Sequence, residues 1–140
     1  MSEFEQLYSG RLWSLLSWQQ LSNFWTRIDR NAGWYLYAVG EPPPTATATA
    51  AEVERFIAET DALLHKEHPH DYCGIVYADD VEAPNMVKIY DPNNLGVSCG
   101  FSKNPPPPGW VMSRVPPTEQ QRAGPLPENR RRWWQALFTR

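Results

Sequence analysis

The chain has 140 residues, 41% hydrophobic and 21% charged, with 14 prolines, 8 glycines and 7 tryptophans; this suits one domain with its own core and falls short of the roughly 25% Pro plus Gly of low-complexity chains. No apolar run approaches the roughly 18 to 20 residues of a membrane-spanning helix. The net charge of −3 is unevenly spread, with 7 Lys/Arg against 14 Asp/Glu in residues 1–113 and 6 against 2 in residues 114–140, and an acidic body repels a phosphate backbone, which disfavours general nucleic-acid binding.

In chain order, a short helix is expected around residues 4 to 16. Ser17 and Gln20 form an S-x-x-Q capping box, and Trp18, Leu21, Phe24, Trp25 and Ile28 follow on one helical face, so a helix runs from Ser17 to near Arg30 and stops before Gly33. The aromatic, β-branched run Trp34 to Val39, closed by Gly40 and the prolines at 42 to 44, predicts a strand. The Thr-Ala repeat over residues 45–50 is a connector. Thr49 and Glu52 form a second capping box, with Val53, Phe56, Ile57, Thr60, Leu63 and Leu64 on one face, predicting a helix over residues 50–67.

After Pro69 the pattern turns to short extended segments, Tyr72 to Ala78, Met86 to Tyr90, Val97 to Phe101 and Trp110 to Val115, separated by turn residues such as Asp91-Pro-Asn-Asn. Short connections pair such segments antiparallel. The expected fold is α+β: a single antiparallel sheet of four to five strands, made of a meander over residues 72–115 plus strand 34–39, with two main helices packed on one face and a short C-terminal helix. Residues 1–115 form the domain, and residues 116–140 a proline-rich, basic tail whose last stretch, from Glu128, places Trp133 and Leu137 on one side of a helix and arginines on the other.

His65, His68, His70 and Cys73 fall within nine residues, and with Cys99 from a neighbouring strand they supply the nitrogen and sulfur donors a transition metal such as zinc takes. The spacing matches no closed structural signature, and histidine also suits a helix C-terminus through the helix dipole. Cys73 and Cys99, each followed by glycine, are thiol candidates whose alternative role is core packing. The two cysteines make no secreted disulfide framework, and the acidic N-terminus is unlike a secretory leader, which points to the cytoplasm. No Walker loop, G-x-G-x-x-G, G-x-S-x-G or H-E-x-x-H is present, so those catalytic classes have no support.

Asn104-Pro-Pro-Pro-Pro-Gly-Trp110 combines stiff polyproline with an aromatic, the chemistry of a ligand for an aromatic groove, or of a rigid arm delivering Trp110 to the sheet. Arg130, Arg131, Arg132, Trp133 and Trp134 are residue types favoured in interface hot spots, and the same segment can dock on its own acidic body. The function expected is a small cytoplasmic accessory protein without catalytic activity or cofactor, binding a larger protein partner through Pro105, Pro106, Trp110, Arg130, Arg131, Arg132, Trp133 and Trp134. The alternative is a small metal-binding or thiol-dependent enzyme, or a metal carrier, using His65, His68, His70, Cys73 and Cys99.

Overall fold

The computed structural model describes residues 2–95, 106–122 and 124–138. Three helix starts are built by the same local chemistry: Ser2 with Glu5, Ser17 with Gln20, and Thr49 with Glu52 each form reciprocal capping boxes that satisfy free backbone N–H groups at the first turn. They open α1 (Glu3–Tyr8), α2 (Trp18–Arg27) and α3 (Ala50–Glu67), and α4 (Glu128–Phe138) closes the chain. The second helix ends earlier than the sequence suggests. Ile28 is extended, and the Arg30 guanidinium folds back to donate to the carbonyls of Trp25 and Ile28, so a side chain rather than another helical turn satisfies the last carbonyls.

Among the described residues five strands, β1 (Trp13–Ser14), β2 (Tyr35–Ala38), β3 (Val76–Ala78), β4 (Met86–Ile89) and β5 (Trp110–Ser113), make one sheet in the order β1-β3-β4-β5-β2. All neighbours are antiparallel, which gives the expected meander with the first long strand added beside β5. β1 stands where a helix was expected: α1 stops at Tyr8, and beyond Gly10 the chain straightens so that Leu15 can enter the core and pair with Val76. The third strand is shorter than the apolar run suggests because Gly74 takes a φ of +72°, which breaks the ladder. The expected strand Val97 to Phe101 lies outside the described residues.

Strand alternation sorts the core into two layers. Leu36, Ala38, Val76, Ala78, Val87, Ile89, Trp110 and Met112 face α2, α3 and α4, meeting Leu21, Phe24, Trp25, Val53, Phe56, Ile57, Leu64 and Leu137. On the opposite face Tyr37, Val39, Met86 and Val111 pack against Phe4 of α1. Lys88, at the centre of the central strand, fastens α1 to this face: its ammonium donates to the Tyr8 carbonyl at 2.9 Å and lies 4.1 Å from the Tyr8 ring centroid. Cations suit a helix C-terminus, and burial lowers the Lys88 pKa.

Candidate functional site

The tail residues that the sequence offers to a partner are placed mostly against the protein's own body. Arg130 is buried, and its guanidinium makes two forked pairs, to Asp91 at 2.9 and 3.0 Å and to Glu67 at 2.9 and 3.1 Å. Burial acts against the charge, but the hydrogen bonds to Asp91 and Glu67 outweigh it and raise the Arg130 pKa; the same contact lowers that of Glu67. Trp133 lies 5.0 Å from Trp110, ring to ring, and Trp134 meets Phe56 edge-on at 6.0 Å. Trp110 itself is fully buried. Arg131 is half-buried, Arg132 is exposed and lies 3.9 Å from Glu128, and Pro106 is half-buried. Pro105 lies outside the described residues.

The three histidines come together, but around aromatic rings. His65 stacks on Trp18 at 4.1 Å, His70 stacks on Tyr72 at 5.4 Å, and His68 sits edge-on to His70 at 4.6 Å. Trp18 Nε1 donates to the His70 carbonyl, and His68 Nε2 lies 2.9 Å from the Cys73 carbonyl. Burial lowers the His68 pKa against that bond, so the ring is neutral at pH 7 and Nε2 carries the proton donated to the carbonyl. Cys73 is fully buried, and desolvation raises its pKa, the opposite of an activated thiol. Among the described residues no group of three or more His, Cys, Asp or Glu side chains is placed to hold a metal ion. Cys99, needed to complete the donor set, lies outside them.

A surface that the sequence reading did not single out lies at the β1 edge. The large apolar side chains left exposed among the described residues are Trp13 (51%), Leu16 (61%) and Tyr72 (56%). The fold brings the backbone of Leu16 beside Cys73, next to Tyr72, since the Cys73 N–H donates to the Leu16 carbonyl at 2.7 Å and the Gly74 N–H to Leu15 at 2.9 Å, while Trp13 sits earlier on the same edge segment, opposite Ala78. Beside Trp13 a cleft of about 340 Å³ opens between β1, α2 and the turn after β3, lined by Trp13, Ser14, Gln20, Asn23, Arg27 and Val81. Clustered exposed apolar groups mark interaction surfaces more often than scattered ones do. Nothing in the sequence marks it: Trp13 and Leu16 fall in the helix expected around residues 4 to 16, and Tyr72 at the start of an expected strand. Among the described residues no helix is long and apolar enough to cross a membrane. In comparisons with known proteins, no family model, curated protein or solved structure matches this chain.

Proposed function

We propose that this protein is a non-catalytic interaction module that docks on another protein chain through the surface formed by Trp13, Leu16 and Tyr72 at the β1 edge. The observation that carries this reading is that all three exposed large apolar side chains of the described residues fall on the β1 edge segment and the stretch hydrogen-bonded to it, with Trp13 lining a cleft. Aromatic side chains in such positions are the usual anchors of interfaces. In this reading Arg130, Trp110 and Trp133 hold the fold, while the partner meets the edge strand β1. A cytoplasmic setting belongs to the same proposal, supported by the free, buried thiol of Cys73.

The test is affinity capture from cell extract on the immobilised full chain, comparing wild type with Trp13→Asp, Tyr72→Asp and the distant Arg132→Ala. Both aspartate variants are expected to lose the specifically captured protein by at least about tenfold, as hot-spot truncations do, with Arg132→Ala unchanged. Equal capture by wild type and both aspartate variants overturns the reading.

A further inference from the structure

The cleft beside Trp13 has a chemistry set by which polar atoms its walls still have to offer. Gln20 turns its Oε1 back to accept from the Leu16 and Ser17 N–H groups, both at 3.0 Å. Backbone N–H groups can only donate, so the amide orientation is fixed and Nε2 is the group left over. Asn23 likewise accepts from Gln19 Nε2 through Oδ1 at 3.1 Å, which leaves its Nδ2 to donate. Two of the side chains lining the cleft therefore offer hydrogen-bond donors.

Arg27, the third, is loosely held. Its Nη1 reaches the Val81 carbonyl at 3.4 Å, and its Nε lies 3.6 Å from the Glu82 carboxylate, whose side chain is 75% exposed. Both distances exceed the roughly 2.7–2.9 Å of a charge-assisted bond, so this five-donor guanidinium has no close acceptor. The neighbouring acids are tied into their own turn. Asp79 Oδ1 accepts from the Asn85 and Met86 N–H groups, and Asp80 Oδ1 from those of Glu82 and Ala83. Among the described residues Glu82 is the one acid lining the cleft, and it stands where an incoming carboxylate would pair with Arg27. On the other wall Arg11 lies 5.9 Å from the Trp13 ring centroid.

We propose, resting on the reading of the Trp13 surface as the docking site, that the segment it takes from its partner is an acidic peptide. An apolar side chain of that peptide covers Trp13, and an aspartate or glutamate carboxylate meets Arg27, Gln20 and Asn23, displacing Glu82. The dimensions agree: a volume of about 340 Å³ is about 7 Å on a side, the spacing of residues two apart on one face of an extended chain. The net charge of −3 gives an acid no long-range attraction, but that field is screened beyond about 8–10 Å. Recognition rests on the short-range donors, which confer specificity rather than fast association.

The test is an NMR titration of the nitrogen-labelled full chain with two blocked peptides, Gly-Leu-Ser-Glu-Gly and its neutral counterpart Gly-Leu-Ser-Gln-Gly. The Glu peptide is expected to shift the Trp13 indole, Arg27 Nε–H and Gln20 and Asn23 side-chain amide signals, half-saturating at about 1 mM. The Gln peptide should need at least about fivefold more, since charge-assisted bonds are roughly twice as strong as neutral ones. Arg27→Gln should erase that difference, and Glu82→Gln should tighten the Glu peptide at least about twofold by removing the resident carboxylate. Glu82→Gln, at an exposed position, carries the test alone if Arg27→Gln folds poorly by circular dichroism. Equal half-saturation by the two peptides overturns the proposal, as does the absence of shifts at about 10 mM or a Glu preference that survives Arg27→Gln. The capture experiment above is scored separately. Loss of a captured protein on Trp13→Asp without any Glu preference refutes the acidic segment and leaves the docking surface standing; a Glu preference with capture unmoved by Trp13→Asp and Tyr72→Asp does the reverse.

Discussion

Arg130 shows how a single side chain fixes the position of a whole segment. Its two forked ion pairs tie α4 at once to the C-terminal end of α3, through Glu67, and to the turn after β4, through Asp91. Asp91 is itself buried, so Arg130→Ala leaves an uncompensated carboxylate in the interior and should cost about 3–5 kcal/mol in urea unfolding. Arg130→Lys keeps the charge but not the planar fork and should recover only a minority of that loss. His68 gives a second prediction at this scale. Burial holds its folded pKa below the ordinary 6.5, so the unfolded chain binds more protons there and stability rises with pH. The contribution is present above pH 6.5 and is lost as pH falls through the folded value. His68→Gln, whose amide can still donate to the Cys73 carbonyl, should flatten the pH dependence of the unfolding midpoint in this window.

Among the elements, those governed by near neighbours could be read directly. The capping boxes at Ser17 and Thr49 and the apolar stripe of α3 place helix starts within one residue, because the groups that satisfy the free N–H donors lie three positions away. β1 escaped because nothing local makes Trp13 and Ser14 extended; β3, more than sixty residues later, supplies the ladder. The docking of α4 stands between these cases. Its apolar side was visible in the spacing of Trp133 and Leu137, but its seat depends on Trp110, Phe56, Glu67 and Asp91 from three distant segments. Truncation after Pro127 removes Leu137 from the core, bares Trp110 and strands Asp91. Thermal melting of that variant should shift down by more than about 10 °C, since each kcal/mol moves the midpoint of a domain this size by several degrees.

At the scale of the molecule, the fold class followed from the order of patterns: a helix, a strand, a long amphipathic helix, then short strands with tight turns have few solutions other than helices packed on one antiparallel sheet. The proline excess likewise resolves into connectors around an aromatic core in which Trp34 and Trp110 are fully buried. The candidate site was far less legible. The Arg/Trp tail and the histidine run stand out by composition, yet Arg130 and Trp110 are buried, and His65 and His70 stack on Trp18 and Tyr72. By itself the sequence determined what periodicity, capping and turn chemistry encode, namely the elements, their order and the class of fold, since these interactions span a few residues. Only the tertiary structure decided which large side chains remain outside, because exposure is what is left after distant segments have covered one another, and that leaves Trp13, Leu16 and Tyr72 exposed on the β1 edge segment and the stretch bonded to it.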